Sequence, residues 1–388
     1  MLPLATSTWD DQEIAALNTV IDSGMFSMGK YVEQFEKEFA KYVGTKYSVM
    51  VNSGSSANLL GVAALFYRKN NPLKRGDEVL VPAVSWPTTY YPLYQYGLKI
   101  KFVDVDRDTL NINLEKLKNA ISDKTRAIFS VNLLGNCVDY NVMKSIVGDR
   151  DILLFEDNCE SLGASLNGQQ AGTFGLFGTY SSFFSHHIST MEGGLVTTND
   201  EELYHIMLSM RSHGWTRHLP KENKVCVKGD NSFEESFRFV LPGYNLRPLD
   251  MSGALGIEQL KKLPSIVAGR RENAKEFQKI FGAIPGVSIQ QETGESSWFG
   301  FALVFEGGKK VRDRVAAALT EKKVDTRPIV AGNFARNPVV DYFDYEIAGE
   351  LTNADTLSDS GLFFGNHHYP IENELIEIAE VVKSTICG

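Results

Sequence analysis

Short apolar runs alternate with amphipathic segments through much of the chain. The runs predict buried strands at 78–82, 100–104, 126–131 and 152–156, and the segments predict crossover helices at 114–121 and 140–147. This alternation predicts βαβ units and a mostly parallel sheet. Ligands of such a sheet bind at the carboxyl ends of its strands.

The pattern changes after the turn-forming segment 242–248, Pro-Gly-Tyr-Asn-Leu-Arg-Pro. Beyond it we expect helices at 252–263, 265–281, 310–322 and 372–383, and a strand at 298–305. Pro264 is expected to end the first of these helices. We therefore predict a large domain over residues 1–250 and a smaller α+β domain over residues 251–388.

Composition excludes several classes of function. The chain has 388 residues, of which 43% are hydrophobic, and a formal charge of −9. The negative charge argues against nucleic-acid and membrane partners. The four cysteines are far apart and predict neither disulfides nor a metal site. No signal peptide and no window near ~18 apolar residues is evident, so a reducing cytoplasm is the expected location.

Two segments next to predicted strands offer groups that suit a phosphorylated ring. The segment 52–58, Asn-Ser-Gly-Ser-Ser-Ala-Asn, follows a strand and opens a helix. Ser55 and Ser56 present N–H groups and hydroxyls at the positive end of the helix dipole, which suits a phosphate, although a helix N-cap explains the same residues. Trp86 follows another strand, where its indole could stack on a pyridine ring or pack in the core.

Acidic residues follow the strand at 152–156. Asp157 could pair with a pyridinium nitrogen and keep a cofactor ring protonated as an electron sink. Glu160 comes three residues later. Acids at a strand end also serve as solvated caps or metal ligands, and the pattern alone leaves these alternatives open.

The stretch 181–194 reads Ser-Ser-Phe-Phe-Ser-His-His-Ile-Ser-Thr-Met-Glu-Gly-Gly. Its spacing would place the Ser181 hydroxyl on a phosphate and the His186 imidazole near a reactive carbon. An imidazole moves protons near neutral pH, yet two adjacent histidines are more often surface or core residues than catalysts. No lysine lies between Thr173 and Asp200, so this stretch has no amine for a Schiff base.

Taken in order, these motifs resemble the nucleotide-sugar aminotransferases, a branch of the fold-type I pyridoxal-phosphate enzymes, over nearly the whole chain. The segments that carry the resemblance are 84–92, 131–136, 156–161, 185–188, 213–217 and 241–245. The family signature is Ser-Phe-x-x-x-Lys-x-x-x-x-x-Glu-Gly-Gly, and His186 stands where its Schiff-base lysine would be. The resemblance implies an aspartate aminotransferase-like α/β fold, with a large cofactor-binding domain and a smaller C-terminal α+β domain.

The resemblance assigns cofactor contacts to five of the candidate residues. Ser55, Ser56 and Ser181 would hold the cofactor phosphate. Trp86 would stack on the ring, and Asp157 would bind its nitrogen.

Further residues receive roles around the ring and the substrate. Glu160 would lie near the ring hydroxyl. Asn245 matches an asparagine that reaches the phosphate of the neighbouring subunit, which implies a homodimer with shared active sites. His213 is a candidate active-site neighbour, and Arg327 could anchor a carboxylate or phosphate of the substrate, although a structural arginine explains it equally.

The match is closest to family members that dehydrate a GDP-linked 4-keto sugar at C3. It implies pyridoxal 5′-phosphate and pyridoxamine 5′-phosphate as cofactor forms, L-glutamate as amino donor, and His186 and Asp157 as catalytic residues. The expected substrate is GDP-4-keto-6-deoxy-D-mannose, which loses its 3-hydroxyl to give a colitose-type 3,6-dideoxy sugar, with release of ammonia. The scattered cysteines disfavour the iron–sulfur chemistry of a related CDP-sugar dehydratase.

Other interpretations stay open. The chain could be a sugar aminotransferase whose lysine has been replaced, or a catalytically silent cofactor-binding protein. The same dehydration could also act on a GDP-4-keto heptose, because that sugar presents the same reacting atoms.

Overall fold

Strands and helices alternate through most of the chain in a computed structural model that describes residues 2–387. The strands are β1 (Tyr47–Val51), β2 (Glu78–Pro82), β3 (Lys99–Val103), β4 (Thr125–Val131), β5 (Leu153–Asp157), β6 (Ser165–Leu166), β7 (Gln169–Gln170), β8 (Phe177–Ser181), β9 (Gly194–Thr198), β10 (Val287–Ile289), β11 (Gly300–Phe305), β12 (Thr326–Arg327), β13 (Tyr345–Ile347) and β14 (Gly361–Gly365). The helices are α1 (Asp11–Ser23), α2 (Lys30–Val43), α3 (Gly54–Leu65), α4 (Pro87–Gln95), α5 (Leu114–Ala120), α6 (Tyr140–Val147), α7 (Glu201–Met210), α8 (Ser232–Glu235), α9 (Asp250–Phe281), α10 (Gly308–Glu321), α11 (Thr352–Ser360) and α12 (Glu372–Cys387). Among these helices, none is both long and apolar enough to cross a membrane.

The large sheet has the strand order β1-β9-β8-β5-β4-β2-β3-β13. Its pairs from β8 to β13 are parallel, whereas β9 pairs antiparallel with β1 and β8. The predicted mostly parallel sheet is therefore confirmed. Strand β5 ends at Asp157 and its parallel neighbour β8 ends at Ser181, so two candidate residues meet at one edge of the sheet.

Both faces of this sheet are apolar because helices cover both. Leu80 and Ile128 pack with Leu117 of α5 on one face. The next residues along their strands, Val81 and Phe129, belong to the core on the opposite face, under α3 and α4. The sheet is thus a rigid centre that holds the strand ends in register.

Helix α9 runs through Pro264, where the sequence analysis predicted a break, and that prediction is wrong. The proline lies on the exposed side of the helix, where water can satisfy the carbonyl that loses its partner. On the other side, Leu263 and Val267 are buried against Phe35 and Phe39 of α2. Burial on both sides of the proline outweighs the local cost of about 3 kcal/mol.

The C-terminal part of the chain builds a second sheet with its own core. This sheet has the order β10-β11-β14-β12, and the rings of Phe277, Phe301 and Phe364 pack together beside it. Helix α9 leads into this part from Asp250, while β13 returns to the edge of the large sheet. The division into domains at residue 250 stays a prediction.

Candidate functional site

A cavity of about 530 Å³ lies at the carboxyl ends of the central strands, between the large sheet and residues of the C-terminal part. The candidate residues that line it are Ser55, Trp86, Asp157, Glu160, Ser181, His186 and Arg327. Side chains from separate parts of the sequence therefore meet at one place. No lysine is among the lining residues of this cavity.

One end of the cavity is the N-terminus of α3. The helix is capped by Ser53, whose hydroxyl accepts from the backbone N–H of Ser56 over 3.0 Å. Gly54 allows Ser181 to approach, because a Cβ on Gly54 would lie 2.7 Å from the Cβ of Ser181. The Ser56 hydroxyl instead donates to Asn52 over 2.6 Å and is not among the cavity-lining groups. The N–H groups at the start of α3 and the Ser55 and Ser181 side chains therefore form a site that suits an anion.

Asp157 is held in one orientation by several donors. Its Oδ2 accepts hydrogen bonds of 2.8 Å from the Asn58 amide and the Thr89 hydroxyl, and its Oδ1 accepts one of 3.2 Å from the Cys159 N–H. Asn58 is itself oriented by the Thr179 hydroxyl, which donates to its Oδ1 over 2.6 Å. The carboxylate is 5% exposed, and that exposed fraction lies in the cavity.

Glu160 is a second acidic residue that lines the cavity. Its Oε2 accepts a 3.0 Å hydrogen bond from the N–H of Leu134. Burial, opposed by this hydrogen bond and reinforced by the charge of Asp157, raises the pKa of the Glu160 carboxyl to about 7. Near neutral pH, the Glu160 carboxyl therefore changes its charge within this site.

His186 lies in a short loop between β8 and β9. Its ring is 5.1 Å from the ring of Phe299 and 6.1 Å from that of Phe183, measured between centroids. Nδ1 is buried and has no hydrogen-bond partner among the described residues. Burial, and then the charge of Arg270, lowers the pKa of His186 to about 4, so the imidazole is neutral and able to accept a proton.

Trp86 and Arg327 lie at the rim of the cavity. Trp86 precedes α4 and is 57% exposed, so a face of its indole is free to stack. Arg327, on β12, donates to the carbonyl of Thr326 and has no acidic partner in the part of the chain that the structure describes. Both side chains are available to a ligand.

Besides Ser56, two further candidate residues are not among those that line this cavity. His213 is exposed, has φ +63° and donates its N–H to the carbonyl of Tyr244. Asn245 is also exposed, and its Oδ1 accepts from Arg247 over 2.9 Å. The structure of one chain therefore does not bring them to the other candidates, and their roles stay predictions.

Sequence comparison places these residues in a family. Residues 7–383 match the DegT/DnrJ/EryC1/StrS aminotransferase family. The chain belongs to this family. The predicted resemblance to the nucleotide-sugar aminotransferases is thereby confirmed.

Several members of this family are similar to the chain over nearly its whole length. GDP-4-keto-6-deoxy-D-mannose 3-dehydratase of Yersinia pseudotuberculosis is 58% identical over 384 residues, which cover 98% of each chain. A crystal structure of a GDP-4-keto-6-deoxymannose-3-dehydratase, in which a histidine is changed to asparagine and GDP-perosamine is bound, has 56% identity and a TM-score of 0.97. A second structure, with a trapped PLP-glutamate geminal diamine, has the same identity and TM-score, and both matches cover 99% of this chain and 100% of the other. The predicted fold-type I architecture is therefore confirmed.

The cavity fits the pyridoxal phosphate of this family. The start of α3 and Ser181 suit its phosphate, and Asp157 suits its ring nitrogen. No lysine lines the cavity, and His186 lies there at the position where the resemblance places the family's lysine.

The groups that support this arrangement were not among the candidates predicted from the sequence. Asn58 and Thr89, which hold Asp157, were not singled out, nor were Phe299 and Arg270. A signal existed for Asn58, because it is a polar and fully buried residue in the apolar segment of α3. No local pattern marks Phe299 or Arg270, since their relation to His186 depends on packing between distant segments.

Proposed function

We propose that this protein is a pyridoxal-phosphate-dependent dehydratase that removes the 3-hydroxyl of GDP-4-keto-6-deoxy-D-mannose, with L-glutamate as amino donor. The observation that carries the proposal is His186, a neutral imidazole at the cavity where the family places a lysine. A histidine moves protons but cannot form a Schiff base. The family's binding groups are therefore retained while its usual covalent anchor is replaced by an acid–base residue.

Different residues bind different parts of the cofactor. Ser55, Ser181 and the start of α3 bind its phosphate, Trp86 stacks on its ring, and Asp157 pairs with the ring nitrogen. Ser56 supports this end of the site through its N–H bond to the cap residue Ser53. When bound as the pyridoxamine form, the cofactor supplies the amine for the C4 ketone and a ring that accepts electrons.

His186 moves the protons of the reaction. Its neutral imidazole accepts a proton and can deliver it to the departing C3 hydroxyl, which leaves as water. The net change is 4-keto-6-deoxy sugar plus L-glutamate to 4-keto-3,6-dideoxy sugar plus 2-oxoglutarate and ammonia. The sugar is reduced at C3 by two electrons, which come from oxidation of glutamate, so no other reductant is required.

A GDP-linked sugar and glutamate are supported as partners by two relatives. One related structure holds GDP-perosamine, and another holds a PLP-glutamate adduct. Arg327, without an acidic partner among the described residues, is available to the substrate carboxylate or a diphosphate. The negative net charge of −9 gives no support for a nucleic-acid partner, and the expected cytoplasmic location stays a prediction.

We also propose a homodimer in which each subunit completes the other's site. Trp86, Phe183 and Phe184 are 57%, 41% and 48% exposed at or beside the cavity rim, which is unusual for large apolar side chains unless a partner covers them. Asn245 and His213 are exposed outside the cavity of their own chain, so they are free to serve a second copy.

One assay tests the reaction. The purified protein is incubated with pyridoxal phosphate, L-glutamate and GDP-4-keto-6-deoxy-D-mannose, and ammonia and sugar products are measured. We expect ammonia and a 4-keto-3,6-dideoxy sugar in equal amounts. An amino sugar in place of ammonia would indicate an aminotransferase, and neither product would indicate a silent protein. A parallel incubation with a GDP-4-keto heptose tests the choice of sugar.

A further inference from the structure

The second histidine of the pair, His187, is completely buried and does not line the cavity. Its Nε2 lies 3.0 Å from the carbonyl oxygen of Ser297. Because a carbonyl only accepts, Nε2 carries the hydrogen. Nδ1 is buried and has no partner among the described residues, so the ring is a neutral donor with a single hydrogen bond.

The carbonyl that accepts this bond belongs to a firmly held segment. The N–H of Ser297 donates to the carbonyl of Gly135 over 2.9 Å, and the N–H of Phe299 donates to that of Leu134 over 3.1 Å. Trp298 between them has φ +47°, a left-handed conformation that costs energy for a non-glycine residue. Such a conformation persists only where its surroundings impose it.

Arg270 and Asn366 impose that conformation from the C-terminal part of the chain. The Asn366 amide donates to the Trp298 carbonyl over 2.9 Å, and the Arg270 guanidinium donates to the Phe299 carbonyl over 3.0 Å. Arg270 is 5% exposed and forms no ion pair within residues 2–387. Arg270 is thus buried with backbone carbonyls of residues 298–299 as its hydrogen-bond partners, and it fixes the position of this segment.

The same segment contacts both histidines. The ring of Phe299 lies 5.1 Å from that of His186 and 5.8 Å from that of His187. His186 itself makes only one backbone hydrogen bond, from its N–H to the carbonyl of Phe183, and its Nδ1 has no partner among the described residues. The next residue, His187, supplies the side-chain hydrogen bond nearest to His186 that joins this loop to another segment. Further along the loop, the backbone of Ser189 is bonded to the side chains of Gln259 and Trp9.

We propose that His187 is a positioning residue, which holds the His186 imidazole at the reacting atoms through its hydrogen bond to the Ser297 carbonyl. The inference rests on the proposed acid–base role of His186. It also explains the second histidine of the pair. Any residue can follow the catalytic histidine in sequence, but only one with a donor at the Nε2 position reaches Ser297.

Three substitutions of His187 separate the donor from the bulk of the ring. In His187→Gln the amide nitrogen takes about the place of Nε2, whereas in His187→Asn it takes about the place of Nδ1, and His187→Leu has no donor. We expect the Asn and Leu variants to lose about 10–100-fold in the rate of pyridoxamine formation from L-glutamate, because a misplaced catalytic group costs up to about 10²-fold. The Gln variant should recover most of that loss, with little change in the KM for glutamate in any variant.

A matched control is His205→Leu, which also removes a buried imidazole with one backbone hydrogen bond, from the Lys224 N–H at 3.2 Å. It should lower the thermal stability without slowing the half-reaction. Equal rates in the Gln, Asn and Leu variants would overturn the proposal, because the donor would then have no effect.

A double-mutant cycle tests whether His187 acts through His186. In the His186→Asn background, His187→Leu should change the remaining rate by less than about twofold, because there is no catalytic imidazole left to position. Additive losses would mean a general structural role and overturn the inference. The glutamate half-reaction needs no sugar. Failure of dehydration in the wild type would therefore count against the proposed substrate, and the double-mutant cycle could still be interpreted.

A spectroscopic measurement on the wild-type protein does not depend on any variant folding. In full-length protein labelled with ¹⁵N-histidine, with and without pyridoxal phosphate, two rings should show a protonated Nε2 that exchanges slowly and does not titrate between pH 6 and 8. One is His187, and the other is His367, whose Nε2 lies 3.0 Å from the carbonyl oxygen of Pro3. Fewer than two such rings would contradict the hydrogen bond on which the proposal depends.

Discussion

Asn58 and Asp157 are joined by a 2.8 Å hydrogen bond from the side-chain amide to Oδ2, although 99 residues separate them in the chain. The bond orients the carboxylate toward the cavity and leaves part of Oδ1 free for a ligand. An acid held in this way differs from an ordinary strand-end cap, whose oxygens are occupied by nearby backbone N–H groups. Asp104, which follows β3, is a cap of that kind, because it accepts from the N–H groups of Val105, Asn353 and Ala354.

Asp157→Asn is expected to slow both half-reactions by about 10²–10³-fold, since a neutral partner no longer favours the protonated ring nitrogen of the cofactor. The measurement is the single-turnover rate of pyridoxamine formation with L-glutamate. Asp104→Asn is the matched control and should lower the melting temperature while leaving that rate near wild type. Asn58→Ala should cost less than Asp157→Asn, because the carboxylate remains. A normal rate in Asp157→Asn would show that Asp157, like Asp104, is only a strand cap.

His186→Asn should reduce dehydration by about 10²–10⁴-fold, the usual contribution of an acid–base group, and leave cofactor binding largely intact. Rates are measured with GDP-4-keto-6-deoxy-D-mannose, and affinity by titration with pyridoxal phosphate. In the wild type, borohydride should leave the cofactor removable by dialysis, because His186 forms no covalent bond to it. A stable adduct on a lysine, or a loss below about tenfold in the variant, would exclude His186 as the residue that replaces the lysine.

Because its pKa is lowered, His186 should act as a base down to a lower pH than an ordinary histidine. An ordinary histidine with a pKa near 6.5 loses roughly tenfold of its neutral form between pH 7.5 and 5.5. With a pKa of about 4, His186 stays neutral over this interval, so proton abstraction should continue at pH 5.5. The test is the pH dependence of the glutamate half-reaction, with circular dichroism to show that the fold persists. A loss that follows a pKa near 6.5 would contradict the expected neutral state.

Glu160→Gln should remove a pH dependence of cofactor affinity. The Glu160 carboxyl, with a pKa raised to about 7, gains a negative charge above neutral pH beside Asp157, and that charge repels an anionic ligand. Linkage then predicts that the dissociation constant of pyridoxal phosphate rises by up to about fivefold between pH 7 and 8 in the wild type. The Gln variant keeps an oxygen for the Leu134 N–H and should lack this rise. Parallel curves for the two proteins would refute the role of Glu160 ionisation.

Asn245→Ala should weaken cofactor binding through the partner subunit. In a mixed dimer with His186→Asn, action in trans places both defects in one site and leaves the other intact, so activity should recover. Action within one chain leaves a defect in every site, and activity should stay low at any mixing ratio. That second result, measured by turnover across mixing ratios, would refute the shared-site dimer.

The order of elements and motifs could be predicted from the sequence because it depends on local spacing. The alternation of strands and helices led to the parallel sheet, and the bounds of β2 and α6 agree with the predicted ones. The substitution of His186 for a lysine is visible in the chain itself. Each of these features involves residues that are near one another in sequence.

The environments of these residues were decided only by tertiary structure. Asp157 is oriented by donors 68 and 99 residues away, and His187 is bonded to a carbonyl 110 residues away. Burial against distant segments carries α9 through Pro264, although proline by itself breaks helices, and it lowers the pKa of His186 below that of an exposed histidine. Local patterns set which side chains are present at the ends of strands. Packing between distant segments sets their orientation, their exposure to water and hence their charge.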